Sequence, residues 1–336
     1  MAVQRNPARP GPVANRPDAA QFLADALAGL RHSQKVLPCK YLYDAAGSAL
    51  FDAICETPEY YPTRTELAIM RAHADEMGAR LGPGCQVVEY GSGSGVKTRL
   101  LLRHLPRPAA YVPVDISVDH LHRSAKELAA RFPEVEVQPV AADFTRPFEV
   151  PDPAVATRRR VVYFPGSTIG NFGPAEALTL LTGIAGLSGP GGALLIGVDL
   201  KKEPEILNAA YNDAAGVTAA FNRNLLARMN RELGADFDLS AFRHRAFYNE
   251  AAGRVEMHLD STRDQIVRLG GQAIRFAAGE SIHTENSYKY APNEFEQLAS
   301  RAGLRLVTFW TDPRRLFSVQ LYEVSDSNCG PAVTSD

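Results

Sequence analysis

The sequence predicts an α/β protein, a doubly wound and largely parallel sheet joined to a second, α+β region. Three observations carry this. Apolar runs of strand length alternate with helical periodicity from Glu66 to Asp199. The run Val87-Val88-Glu89-Tyr90 passes directly into Gly91-Ser92-Gly93-Ser94-Gly95 and a helical pattern opening at Val96: strand, glycine loop, helix. After Asp199 the alternation stops, and short strand-like runs with glycine-containing turns follow, as in antiparallel sheets.

Met1 to Asp18 is rich in Pro, Arg and Ala without an apolar core, so a disordered arm is expected there, as for the tail 325–336. Ala19–Leu30 places Phe22, Leu23, Ala26, Leu27 and Leu30 at helical spacing. Residues 35–48 are aromatic and loop-like, and a short helix is expected over Ala49–Thr57. Pro58-Glu59-Tyr60-Tyr61-Pro62 makes a stiff aromatic corner, after which Thr63 and Glu66 fit a capping box for a helix Glu66–Leu81. Strands follow over Gln86–Tyr90, up to Asp115, over Val135–Val140, over Arg160–Phe164 and over Gly192–Val198. Helices fall between them at Val96–Leu105, Val118–Phe132 and Pro174–Leu187. Gly91, Asp115, Asp143 and Asn171 thereby share the carboxyl edge of the sheet, where open α/β folds bind ligands.

Lys202–Tyr211 and Val217–Leu233 are long helical patterns. Strands are then expected over Phe242–Asn249, Arg254–Asp260, Gln265–Leu269 and Gln272–Phe276. Gly279 to Tyr290 is polar and aromatic where a plain linker would be rich in Gly and Ser. The helix Pro292–Ala302 and the runs Leu304–Trp310 and Phe317–Val324 close the sheet.

The 336 residues suffice for one large or two modest domains, and 45% hydrophobic with 22% charged residues is ordinary for a soluble globular chain. A net charge of −2 argues against a nucleic-acid partner, and Arg158-Arg159-Arg160 reads as a solvated loop. Cys39, Cys55, Cys85 and Cys329 have no C-x-x-C spacing, which points to free thiols in a reducing, cytoplasmic setting. His120-x-His122 lacks a third ligand, so no metal is expected. No apolar run is long enough to span a bilayer and no secretory leader is visible.

The glycine loop and Asp115 together indicate a nucleoside cofactor, since an acid at the tip of the second strand suits ribose hydroxyls. The spacing G-x-G-x-G differs from the dinucleotide fingerprint, and Val96 between Gly95 and Lys97 breaks the P-loop pattern. Glu89 would repel a polyphosphate and suits a cofactor with a cationic centre. S-adenosylmethionine is such a cofactor.

Longer motifs extend this reading. Tyr43-Asp44-Ala45-Ala46-Gly47-Ser48-Ala49-Leu50-Phe51, Pro58 to Arg64, Gly166-Ser167-Thr168-Ile169-Gly170-Asn171 and Tyr211 to Asn222 occur in one order, followed by Arg231-Glu232-Leu233 and Ala235 to Leu239. From Lys35 to Tyr322 the chain resembles the L-histidine Nα-methyltransferases of ergothioneine biosynthesis. The resemblance implies a Rossmann-like class I methyltransferase domain (64–201 with 292–324) and a substrate domain built from 19–63 with 202–291. It implies that Gly91 and Lys97 lie along the methionine part of S-adenosylmethionine, that Asp115 takes the ribose, and that Asp143 and Phe144 meet the adenine.

For the substrate, the resemblance implies that Asn171 and Tyr211 position the amino-acid end, with Tyr60 and Tyr43 nearby. Glu285 and Ser287 would read the imidazole and Met257 would line its pocket. Asn286, between that pair and expected at the substrate with it, stands where the family has an apolar residue. No side chain is required as a strong base. The activity implied is three successive methyl transfers to the α-amino group of L-histidine by a monomer. Two other readings remain: an enzyme of the same fold acting on tryptophan or another aromatic amine, and a noncatalytic S-adenosylmethionine-binding module. An NAD-dependent oxidoreductase is disfavoured by the glycine spacing.

Overall fold

The computed structural model describes residues 19–93 and 95–325; the expected arm 1–18, the tail beyond Ser325 and Ser94 lie outside the described residues. The chain opens with α1 (Ala19–Leu30), β1 (Lys35–Val36), α2 (Ala45–Glu56) and α3 (Tyr61–Leu81). Alternation follows: β2 (Cys85–Tyr90), α4 (Val96–His104), β3 (Ala110–Asp115), α5 (Val118–Arg131), β4 (Glu136–Val137), β5 (Val140–Ala141), β6 (Arg159–Phe164), α6 (Pro174–Ser188) and β7 (Ala193–Asp199). Next come α7 (Pro204–Ala210), α8 (Val217–Leu233), β8 (Phe242–Asn249), β9 (Arg254–Ser261), β10 (Gln265–Leu269), β11 (Gln272–Phe276) and β12 (Ser281–Tyr288). α9 (Pro292–Arg301), β13 (Leu304–Thr311) and β14 (Phe317–Val324) end the described chain.

The large sheet has the order β13-β14-β7-β6-β2-β3-β4, with β5 continuing along β3. β7, β6, β2, β3 and β4 are parallel, while β14 runs antiparallel to both its neighbours. Alternation along each strand explains the two buried faces. Val87, Tyr111 and Val161 pack with Ile69, Leu101 and Leu128 of α3, α4 and α5. Val88, Val112 and Val162 pack with Leu181 of α6 and Phe295 of α9. Strand order reverses between β2 and β6, and Gly91 leaves β2 at that point.

A second core gathers the N-terminal segment and the stretch after β7. Its sheet, β1-β12-β9-β8, is antiparallel apart from the β1–β12 pair. Phe22 of α1, Leu225 of α8 and Phe242 of β8 share this core with Tyr41, which stacks on Phe22 at 4.0 Å between ring centroids. β10 and β11 form a hairpin turned by Gly270 and Gly271, both at positive φ, as a two-residue primed turn demands.

Three local expectations are corrected, and one stretch with no assigned element gains a strand. α2 starts at Ala45, four residues before the expected Ala49, because Asp44 caps it: its Oδ1 accepts the Gly47 N–H at 2.7 Å. α3 starts at Tyr61 with Pro62 in its first turn, so the Thr63/Glu66 capping box does not form. Thr63 instead donates to Cys55 Sγ at 3.2 Å, and Glu66 is fully buried, accepting the Gly166 N–H at 3.0 Å. The single strand expected over 135–140 is two short ones, β4 and β5. The polar stretch 279–290 contains β12, which pairs with both β1 and β9. Its alternation is hidden by a bulge between His283 and Glu285 that adds Thr284 to the strand.

Candidate active site

At the carboxyl edge of the large sheet, Gly91, Gly93 and Gly95 all take positive φ (74°, 44° and 67°), which side chains with a Cβ adopt at a cost. The Gly91 N–H bonds Val114 O at 2.9 Å, locking the loop to the tip of β3. There Asp115 Oδ1 accepts the Ser117 N–H at 2.8 Å, and burial raises its carboxyl above the ordinary value despite that bond. Asp143 Oδ1 is held by Thr145 through N–H (3.0 Å) and Oγ1 (2.5 Å), and Phe144 stacks on Tyr90 at 5.0 Å. Lys97 pairs with Glu66 at 2.5 Å. Glu89 does not face the loop: Thr98 and Tyr111 each donate to its Oε2 at 2.6 Å in the core, where burial pushes it up to about 7.

A cleft of about 770 Å³ runs past Gly93, Ile116 and Ser117 to Lys40, Arg228 and Arg231. Tyr43 lines this cleft and also a smaller cavity beside it. Tyr60, Asn171, Tyr211, Met257, Glu285 and Ser287 line the smaller cavity with Tyr43. Seven of the eight residues expected at the substrate are thus gathered in one place. Asn286 is the exception. It pairs with Glu256 on the neighbouring strand, and its buried Oδ1 has no hydrogen-bond partner among the described residues.

Several elements set these side chains. The 3₁₀ turn Thr168–Asn171 lies so close to β12 that a Cβ on Gly170 would sit 2.8 Å from Tyr288 O. That approach brings Asn171 to β12. With its amide nitrogen turned toward its two acceptors, Asn171 donates to Asn286 O at 3.1 Å and to Glu285 Oε1 at 3.3 Å. Thr284 donates its one hydroxyl proton to Asn222 Oδ1 of α8 at 2.6 Å, with Met257 O also within reach at 3.1 Å, anchoring the bulge. Tyr60 and Tyr211 meet edge to face at 6.2 Å, and burial raises both hydroxyls.

Asp199 and Lys289, which line the cavity, belong to a buried ion cluster that residue spacing alone had not assigned to the site. Asp199 at the end of β7 pairs with Lys202 at 2.5 Å and Lys289 at 2.7 Å, and accepts the Tyr61 hydroxyl at 2.8 Å. Burial alone would raise Asp199, but the two ammonium groups outweigh it and hold the carboxyl low. Burial pushes Lys202 down to about 8. Lys289 is two residues beyond Ser287 and four beyond Glu285, so strand alternation across 285, 287 and 289 was the available signal. Burial also dominates at Glu285, pushing it up to about 7 even with Lys289 nearby.

Comparison with known proteins decides the family. Residues 22–324 match the histidine-specific, SAM-dependent methyltransferases. The chain belongs to this family. It is 44% identical over 314 residues to the histidine N-alpha-methyltransferase of Mycolicibacterium smegmatis, covering 90% of this chain and 96% of that protein. It is 42% identical over 303 residues to the histidine N-alpha-methyltransferase of Mycobacterium tuberculosis, covering 88% and 93%. Ergothioneine biosynthesis protein 1 of Neurospora crassa is 32% identical over 282 residues, covering 82% of this chain and 32% of that longer protein.

As a member of the histidine-specific methyltransferase family the chain uses S-adenosylmethionine, and the loop fits it. A Cβ on Gly91 would enter space with no atom within 4 Å, and the Ser92 hydroxyl is buried without a partner among the described residues. Of possible metal ligands among the described residues, Glu256, His258 and His283 come within 4.8 Å of one another. The two rings stack at 4.7 Å and 14°, so their in-plane lone pairs run side by side and do not converge on one ion. Arg254 and Asn249 also hold Glu256 Oε1.

Proposed function

We propose that the chain methylates the α-amino nitrogen of L-histidine three times with S-adenosylmethionine, giving hercynine in the first step of ergothioneine biosynthesis. One observation carries this. Glu285 and Ser287, on one face of β12, turn an acceptor and a hydroxyl into the cavity that shares Tyr43 with the cleft past Gly93 and Ser117, whose lining does not include Gly91, Lys97, Asp115, Asp143 or Phe144. An imidazole has one N–H and one lone pair to match them. The bound cofactor supplies a sulfonium-activated methyl group. The chain's own part is then to orient the amine; each transfer forms an N–C bond as the C–S bond breaks and releases one amine proton to water, so no strong base is needed. Asn171 and Tyr211 orient the amino-acid end, and the tyrosine faces of the cavity attract the cationic character that grows as methyl groups are added.

In this reading Gly91 and Lys97 follow the methionine part of the cofactor, Asp115 the ribose, and Asp143 with Phe144 the adenine. The second core, 19–63 with 202–291, serves as the substrate domain beside 64–201 with 292–324. The enzyme acts as a cytoplasmic monomer on free amino acid. Incubation with S-adenosylmethionine and each amino acid in turn, read by mass, tests the proposal. Histidine should gain one to three methyl groups. Gain on tryptophan alone would transfer the assignment to that acceptor, and gain on none would leave a noncatalytic binding module.

A further inference from the structure

Among the described residues the backbone passes between the two cores along α3, between β7 and α7, and between β12 and α9. Tyr61 belongs to the second core, and Ile69 further along α3 to that of the large sheet. Val198 of β7 packs in the core of the large sheet and Leu207 of α7 in the second. Ile282 of β12 packs in the second core and Phe295 of α9 in that of the large sheet. One aspartate gathers all these passages. The Asp199 carboxylate accepts the Tyr61 hydroxyl at 2.8 Å, the Lys202 ammonium at 2.5 Å and the Lys289 ammonium at 2.7 Å. Lys202 also donates to Tyr61 Oη at 2.5 Å and lies over that ring, 4.4 Å from its centroid.

The Asp199 backbone is held as well. Its N–H donates to Ser167 Oγ at 2.9 Å, and its C=O accepts the Tyr290 N–H at 3.1 Å. Ser167 takes φ 58°, which residues with a Cβ adopt at a cost, and it opens the turn Thr168–Asn171. The same aspartate therefore holds the turn that carries Asn171 and the end of the strand that carries Glu285.

Stability alone does not call for this cluster. It sets two buried ammonium groups against one buried carboxylate. Taking the second ammonium out of water is a cost that Asp199, already paired with Lys289, only partly offsets. What the carboxylate supplies is direction. Oδ1 faces Lys202, Oδ2 faces Lys289, and Tyr61 Oη stands 2.8 Å from each, so the carboxylate plane cannot turn without breaking a bond.

We propose that Asp199 and Lys202 are positioning residues: together they form the pivot that sets the cavity wall of the second core against the cofactor edge of the large sheet, and so the aim of the acceptor nitrogen at the methyl group. Which nitrogen is aimed rests on the histidine reading above. Lys202 does not line the cavity, so it acts through Asp199 and Tyr61. Methyl transfer is sensitive to such aim, a misplacement of about 1 Å costing on the order of a hundredfold in rate.

The test compares Lys202→Met with the unaltered full chain. That change keeps an apolar stem over the Tyr61 ring and leaves the Lys289–Asp199 pair in place. Rapid-quench single turnovers with saturating S-adenosylmethionine and histidine give the rate of the first transfer. Calorimetry gives the dissociation constants of S-adenosylhomocysteine and of histidine in its presence. The rate should fall roughly tenfold to a hundredfold while both constants stay within about twofold of the parent's. Should Lys202→Met not fold, Tyr61→Phe keeps the ring and removes the hydroxyl that joins Lys202 to Asp199, and the same split is expected. A parental rate in the folded variant overturns the inference. So does an equal loss of rate and of both affinities, which a merely structural part would give. If the unaltered chain methylates another amino acid and not histidine, the substrate reading falls alone, and the same comparison on that acceptor decides the pivot. If it methylates none, both fall.

Discussion

The side-chain amide of Asn171 donates to the Glu285 carboxylate at 3.3 Å, joining the turn after β6 to the middle of β12. The sequence reading assigned these residues to opposite ends of one ligand, Asn171 to the headgroup and Glu285 to the ring. Tyr211 and Ser287, likewise assigned to different ends, are bonded at 2.7 Å. The polar wall of the cavity is therefore two head-to-ring pairs, and changing one member alters its partner.

Replacing Glu285 by Gln should raise KM for histidine roughly tenfold to a hundredfold, the value of a hydrogen bond to a charged group, with S-adenosylhomocysteine affinity unchanged. Steady-state kinetics and calorimetry check both halves. Equal KM for the variant and the parent chain would remove the ring assignment.

Glu285 also makes the stability pH-dependent. Its folded value of about 7 lies above the ordinary 4.5, so the folded chain binds the extra proton between the two. Stability from this group is fully present below the ordinary value and falls as pH rises through about 7. The gain in Tm from Glu285→Gln should therefore grow between pH about 5 and about 8. Melting curves across that range check it; a constant difference would contradict the assigned burial.

Asp115→Ala should weaken cofactor binding by about 1–3 kcal/mol, roughly tenfold to a hundredfold, while histidine KM at saturating cofactor stays near the parent value. Titration with S-adenosylhomocysteine measures it, and parental affinity would discard the ribose role.

Thr284→Val keeps the shape and leaves Asn222 Oδ1 without the 2.6 Å bond from Thr284. A buried unsatisfied acceptor costs about 1–3 kcal/mol, so denaturant midpoints should fall accordingly. Because the bulge sets where Glu285 points, histidine KM should rise as well. A loss of stability with unchanged KM would show that the bulge holds without this bond.

Gly197 stands on β7 where the buried Glu66 carboxylate passes, and a Cβ there would overlap Glu66 Oε1. Gly197→Ala must displace that carboxylate from Lys97 and from the Gly166 N–H. Overpacking of this kind costs about 1–3 kcal/mol, and a lowered Tm together with weaker cofactor binding is expected. A Tm equal to the parent's would mean that Glu66 moves freely.

Periodicity alone located nearly every helix and strand, because in a doubly wound sheet each central strand is an unbroken apolar run and each helix carries one apolar face. It also placed Gly91, Asp115, Asp143 and Asn171 at one edge, since those positions follow strand ends. The strand over 281–288 was not legible: the extra residue Thr284 interrupts the period of two, and its polar side chains face a cavity and an ion network. Glu66 misled for a related reason. A Thr-x-x-Glu spacing satisfies the capping rule, but a proline in the first turn and a buried partner at Lys97 took the glutamate elsewhere.

By itself the sequence determined the fold class, through local pattern, and the resemblance carried by its consecutive motifs named seven of the residues that line the cavity, though not Asp199 or Lys289. Only the tertiary structure decided which members touch. The pairs Asn171–Glu285 and Tyr211–Ser287, and the contact of Lys289 with Asp199 90 residues away, join segments remote in the chain. Those contacts exist only once the fold has brought the segments together, and no single segment contains them.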